Sequence, residues 1–192
     1  MYCIKTGQEL RVAISGKSGC GNTTISGLLA KTLHIRLINY TFRSLSEENG
    51  LSLNQIIENA KTDDSYDLLV DRRQVELAKK ESCVLGSRLA IWMLSSADLK
   101  VYLVADEEVR AKRIQEREGG SLQDIIDFTR MRDSEDRERY KRLYSIDNDD
   151  FSFADLIIDV SKKSPEEILL EILNELEKRS LIDCTPIKNS KN

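Results

Sequence analysis

The chain has 192 residues, 40% of them apolar and 32% charged, with a formal net charge of −4. That is the composition of an ordinary soluble domain, and its acidic balance argues against nucleic acid or an anionic membrane as the main partner. No signal peptide opens the sequence and no apolar stretch approaches the length of a bilayer crossing, so the cytoplasm is the expected location. Cys3, Cys20, Cys83 and Cys184 are scattered singly and His34 is the one imidazole, a pattern that suggests neither a zinc site nor a disulfide framework.

Leu10 to Ile14 is a short, mostly apolar run, as expected of a buried parallel strand. It leads into GKSGCGNTT at 16–24, the glycine layout of a phosphate-binding loop. Gly16, Gly19 and Gly21 let successive backbone N–H groups curl around phosphate oxygens, and the helix that follows points its positive end at the same anion. Lys17, Ser18, Cys20, Asn22, Thr23 and Thr24 complete the expected ATP-phosphate cradle, with the Thr23 hydroxyl at the Mg²⁺ position. Asn22 stands where the motif normally has its lysine, so charge on the transferring phosphate must come from elsewhere. Lys17 is the candidate, because its flexible stem could fold an ammonium over the phosphates. In this it resembles deviant Walker-type ATPases, which also carry a lysine second in the loop, and it could act within its own subunit or across a dimer. A glycine-rich turn without a ligand is the alternative. For Cys20 the choice lies between a redox-sensitive thiol and a small residue filling the loop.

Further along, Ile25, Leu28, Leu29, Thr32 and Leu33 give a first helix one core face. Ile35 to Asn39 reads as a second strand leading to Phe42 and Arg43. From Leu53 to Lys80 the pattern is helical in two pieces, the first marked by Leu53, Ile56, Ile57 and Ala60, with Asp63, Asp64 and Ser65 as break and N-cap. Cys83 to Leu85, Val101 to Val104 and Leu156 to Val160 supply three more strands. Two polar helices, about 107–118 and 121–144, meet at Gly119 and Gly120. A final helix starts at Pro165 with Ser164 and Glu167 as a capping box and an apolar stripe of Ile168, Leu169, Ile172, Leu173 and Leu176. From Asp183 onward a frayed tail is expected.

Strands alternating with helices imply an α/β parallel sheet covered on both faces, with ligands at the carboxyl ends of its strands. Arg110, Arg113 and Arg117 share one helical stripe, and Arg132, Asp136 and Arg139 share another. Flanking the glycine pair, the two stripes describe a lid that could deliver positive charge to a transferring phosphoryl group and exclude water. Taken alone they fit two solvated, salt-bridged helices better, and it is the phosphate loop in the same chain that favours the lid. Arg43 and Arg88 are the expected clamps for an acceptor phosphate. Asp71 and Arg72 could read base or ribose, with an intrahelical surface pair left open.

Several strings carry a more specific resemblance: Asp71-Arg72-Arg73-Gln74-Val75-Glu76-Leu77-Ala78-Lys79, Arg88-Leu89-Ala90 before Trp92, Ala97-Asp98-Leu99-Lys100, Arg113-Ile114 with Arg117-Glu118-Gly119, Arg139-Tyr140 with Tyr144, and Ile146-Asp147. Over about residues 10–178 the chain resembles the short cytidylate kinases typical of archaea. The resemblance implies a P-loop NTPase-type three-layer αβα fold of one nucleoside monophosphate kinase domain, with a five-stranded parallel core, an acceptor-binding segment at 40–80 and an arginine-bearing lid at 118–135. It implies transfer of the γ-phosphoryl of ATP to CMP or dCMP with Mg²⁺. It puts Arg132, Asp136 and Arg139 at the closed lid and the cytosine, and Ser161 and Lys162 beside the adenine. Two positions depart from the pattern: Asn22, and Gly86, where an acidic residue that would hold Mg²⁺ through water is expected, with Ser87 following in place of glycine; Asp106, Asp71 or direct coordination by ATP and Thr23 are the open alternatives for that ion.

The mechanism these residues suggest is in-line attack by an already ionised acceptor phosphate, with no protein nucleophile and no general base. Lys17, Arg132 and Arg139 are its catalytic cations. The expected partners are small nucleotides, with no nucleic acid and no membrane, on a monomer or weak homodimer. A nucleotide-binding regulatory protein that has lost the chemistry, and a P-loop kinase for another small acceptor, are the rival readings.

Overall fold

The computed structural model describes residues 2–184. Strands β1 (Tyr2–Ile4), β2 (Arg11–Gly16), β3 (Arg36–Ile38), β4 (Cys83–Gly86), β5 (Leu99–Val104), β6 (Leu156–Asp159) and β7 (Ile182–Cys184) alternate with helices α1 (Asn22–Leu33), α2 (Phe42–Asn49), α3 (Leu53–Ala60), α4 (Ser65–Ala78), α5 (Ala90–Met93), α6 (Glu107–Glu118), α7 (Leu122–Tyr144) and α8 (Pro165–Lys178). Five strands form one parallel sheet in the order β3-β4-β2-β5-β6. β2 lies at its centre and is buried on both faces, which is why Val12, Ala13 and Ile14 run without polar alternation.

Helices cover both faces. On one, Ile25, Leu29 and Leu33 of α1 and Ile168, Ile172, Leu173 and Leu176 of α8 pack against β2, β5 and β6. On the other, α4 and α5 pack with Leu85, Tyr102 and Ile91. The expected cap of α8 is present in both directions: Glu167 N donates to Ser164 Oγ at 3.2 Å, and Ser164 N donates to Glu167 Oε2 at 2.7 Å.

Three expectations about elements need correction. The segment after β3 forms a helix, α2, where the sequence offered only Phe42 and Arg43 as landmarks. Ile57 on α3 is exposed rather than part of a core stripe, because only Ile56 reaches the small cluster with Tyr40 and Leu45. The break and N-cap at 63–65 are as expected, with Asp64 as the N-cap of α4 and Asp63 Oδ1 accepting the Ser65 N–H. Finally, Asp183 and Cys184 belong to β7, which pairs antiparallel with β1, so the tail does not begin to fray at 183; residues 185–192 lie outside the described residues.

Candidate active site

The carboxyl ends of β2, β3 and β4 open into a cleft of about 780 Å³. Residues 17–24 form one wall, and Phe42, Asp67, Asp71, Gln74, Arg88, Arg132, Arg139 and Tyr140 form the opposite side.

Close packing shapes the loop. A Cβ at Gly16 would lie 2.6 Å from Leu103 O and 2.7 Å from Asn22 Oδ1, and one at Gly19 would lie 2.7 Å from Arg110 O. Gly19 and Gly21 also hold φ of 84° and 95°, left-handed values that a side chain would strain. Asn22, first residue of α1, donates Nδ2 to Gly16 O at 2.5 Å, so it closes the loop on itself and does not reach into the cleft as a cation would. Thr23 and Thr24 are exposed at the cleft wall. Cys20 is buried, and burial pushes its thiol up to about 11, which makes it a loop filler and not a reactive thiolate.

Lys17 borders the cleft, but its ammonium pairs with Asp149 Oδ1 at 2.7 Å. The arginines of α6 also differ from a free stripe. Arg110 is buried, pairs with Asp133 at 2.7 Å and donates to Ser18 O at 3.1 Å. Arg113 donates to Gly19 O and Val160 O, tying the loop to the end of β6. Arg117 alone is exposed, beside Glu118 at the cleft mouth. Thus Arg110 serves the loop from behind, while Arg113 both ties the loop and lines the cleft. Gly119 and Gly120, with φ of 78° and 96°, make the turn between α6 and α7.

The second stripe does face the cleft. Asp136 is buried and joins two cations: Arg88 at 2.8 Å through Oδ2 and Arg139 at 2.7 Å through Oδ1. Arg139 also lies 3.5 Å from Asp67. Arg132 is half-buried and has no ion pair or hydrogen bond among the described residues; burial first, then the neighbouring Arg88, lower its pKa. Asp136 and Glu118 offset that only in part, and a desolvated guanidinium with no direct ion pair is costly, so this point of the cleft suits a negative ligand. Arg88 is aimed by the strand end itself, where buried Ser15 Oγ donates to Ser87 O and accepts the Ile91 N–H.

Asp71 lines the cleft as expected, bound by Tyr144 Oη at 2.6 Å and by Gln74 Nε2 at 2.8 Å. Burial raises its pKa despite those two donors, and burial raises that of Asp67 too. Arg43 and Arg72 are exposed and outside the cleft lining, on the outer sides of α2 and α4. Ser161 and Lys162 are outside it as well; Ser161 Oγ instead accepts the Asp106 N–H, and Lys163 is the residue of that turn that reaches the cleft. Sequence reasoning missed Asp67, Gln74, Tyr144 and Asp149. The spacing of Asp67, Asp71 and Gln74 at i, i+4, i+7 on α4 was the available signal.

Among the described residues no group of three His, Cys, Asp or Glu side chains could hold a metal ion by itself. Gly86 has no room for the expected carboxylate, since a Cβ there would lie 2.4 Å from Ser26 Oγ. The Thr23 hydroxyl, exposed at the cleft wall, is an oxygen donor of the kind that suits Mg²⁺, which keeps several waters and takes oxygens from substrate phosphates.

A parallel five-stranded sheet with a glycine loop between its central strand and the first helix, and arginines across the cleft, defines a P-loop kinase fold. Solved structures of that class superpose on it: shikimate kinase from Bacteroides thetaiotaomicron with a TM-score of 0.61 at 17% identity, covering 88% of this chain and 98% of the other, and deoxyadenosine kinase from M. mycoides with bound dATP at 0.53 and 16%, covering 88% and 100%. Residues 11–162 match the cytidylate kinase-like family, and the chain belongs to it. It is 46% identical over 176 residues to cytidylate kinase 2 of Borreliella burgdorferi, spanning 90% of this chain and 98% of that one. It is 42% identical to the cytidylate kinase of Pyrococcus abyssi over 161 residues, 83% and 89% of the two chains. No helix among the described residues is long and apolar enough to cross a membrane.

Proposed function

We propose that this chain is a cytidylate kinase, transferring the γ-phosphoryl of ATP to CMP or dCMP to give ADP and CDP or dCDP. The observation that carries the reading is Arg132, a half-buried cation with no direct ion pair or side-chain hydrogen bond among the described residues, in the same cleft as the glycine loop. Backbone amides of 17–23 cradle the β-phosphate of the donor, supported by the N-terminus of α1. Arg88, held by Asp136, meets the acceptor phosphate, and Asp71 faces the nucleoside beyond it. Arg132 and Arg139 stabilise charge on the group in transfer, and Lys17 adds the ammonium that Asn22 cannot supply. Arg117, from the cleft mouth, joins when α6 and α7 close. Arg113, which lines the cleft, fixes Gly19 through its carbonyl. Arg43 and Arg72 have no role in this reading, because they lie outside the cleft. Mg²⁺, held by Thr23 and phosphate oxygens, would neutralise charge on the β- and γ-phosphates. The acceptor oxygen is ionised at neutral pH, so no side chain needs to take a proton.

The test is a coupled assay of ADP production with ATP and Mg²⁺ against CMP, dCMP, UMP and AMP. Turnover with CMP or dCMP is expected. ATP binding with no acceptor-dependent turnover would overturn the proposal.

A further inference from the structure

Lys17 and Arg88 are the two residues that border both the large cleft and a second, water-sized cavity beneath it. That small cavity is closed by Gly16, Tyr102, Asp133, Asp136 and Asn148. The Lys17 ammonium meets Oδ1 of Asp149, next in the chain to the cavity-lining Asn148, at 2.7 Å, while Oδ2 of the same carboxylate takes the Arg137 guanidinium from α7. One acidic group thus connects the phosphate loop to the long helix that carries Arg132, Asp136 and Arg139.

The segment bearing Asp149 is well anchored. Phe151 stacks on Tyr102 with ring centroids 4.1 Å apart and planes 11° from parallel. Tyr102 Oη donates to Asn148 O at 3.4 Å, and the Asp149 N–H donates to Asp147 Oδ1 at 3.1 Å. The carboxylate therefore stays at a fixed point, and the four-carbon stem of Lys17 is the part free to rotate between cavity and cleft.

We propose that Asp149 is a positioning residue for Lys17: it stations the ammonium at the edge of the cleft while the donor site is empty and releases it to the phosphates of ATP, retaining Arg137 as its own partner. This rests on the kinase reading of the cleft. Both side chains of the pair are about one-third exposed, so the contact is weak and a polyanion can replace it. Because Lys17 leaves Asp149 when ATP binds, whatever the pair contributes in the empty protein is subtracted from donor affinity. Removing only the carboxylate charge should then tighten ATP binding, by about two- to fivefold for a pair of this exposure.

The experiment is calorimetric titration of the full chain with ATP, for wild type, Asp149→Asn, Lys17→Met and the double variant. Asparagine is isosteric, so the backbone contact to Asp147 can persist; Asp149→Ser replaces it in the same cycle if the asparagine variant fails to fold. Tighter binding in Asp149→Asn, weaker binding in Lys17→Met, and a double variant equal to Lys17→Met would support the proposal. An unchanged dissociation constant in Asp149→Asn overturns it. So does an equal gain in the Lys17→Met background, which would mean that Asp149 merely repels phosphate. If wild type binds ATP and phosphorylates CMP while the cycle is additive, only the role of Asp149 fails. If wild type does not bind ATP, the kinase reading fails and this proposal with it.

Discussion

Ser26 Oγ occupies the space that a side chain on Gly86 would need, with only 2.4 Å between it and an ideal Cβ and 2.8 Å from that Cβ to Ser26 Cβ. α1 has settled onto β4 at the strand end where the sequence pattern leads one to expect a carboxylate. The missing acid is thus built into the helix–sheet contact and cannot be restored by one substitution.

Gly86→Asp should destabilise the fold by about 1–3 kcal/mol through overpacking, and adding Ser26→Gly should recover part of that loss. Urea denaturation of the two variants checks this. A Gly86→Asp protein as stable as wild type would show that α1 can shift freely here.

Arg132 gives the opposite expectation, a large effect on rate with little on stability. Arg132→Met removes a desolvated cation that has no direct ion pair or side-chain hydrogen bond among the described residues, so the melting temperature should hold or rise slightly. Turnover with CMP should fall by about 10³-fold, the scale of losing an arginine at a transferring phosphoryl group. Lysine should rescue poorly, because it lacks the planar fork. A drop in stability with unchanged kcat would assign Arg132 to the scaffold.

Arg110 should behave as the reverse of Arg132. Its guanidinium is enclosed between Asp133 and Ser18 O, so Arg110→Met leaves the partly buried Asp133 carboxylate alone. A loss of about 3 kcal/mol is expected, together with a raised KM for ATP, since the back of the loop loses its support. Denaturant midpoints and a donor titration measure the two effects separately.

The Asp71 carboxyl supplies a pH dependence with a definite sign. Burial raises its folded-state pKa above the usual aspartate value of 3.8, so between those two values the folded chain binds more protons than the unfolded one. Stability is therefore lost as pH rises from near 3.8 through the folded value; Asp67 adds to the same trend. Asp71→Asn should flatten that slope, so that wild type loses ground to the variant as pH rises through the window. Chemical denaturation at a series of pH values tests it, and parallel curves for the two proteins would sink it.

Much of this architecture could be read from the residues because its signals are local. The apolar run before GKSGCGNTT, the capping box at Ser164 and Glu167, and the glycine pair at 119 and 120 each specify their own backbone. α2 escaped because it buries only Leu45 and so shows no apolar stripe. β1 and β7 escaped because each is three residues long and is defined only by pairing with the other across the sequence. The same distinction divides the site. Arg88, Arg132, Asp136 and Arg139 follow from a strand end and a helical spacing. Asp149 and Tyr144 reach Lys17 and Asp71 only through tertiary packing, 132 and 73 positions away in the chain. Arg43 and Arg72 show the limit of composition: arginines near a strand end or on the right helix can still point outward.

Cys20 sits in the loop wall with 2% of its surface exposed and its thiol held protonated near neutral pH. Alkylating reagents can reach that sulfur only when the wall comes apart, so the labelling rate is a clock for transient opening of residues 16–24. Any nucleotide that seats there should slow the clock, and so gives a readout of occupancy that requires no turnover.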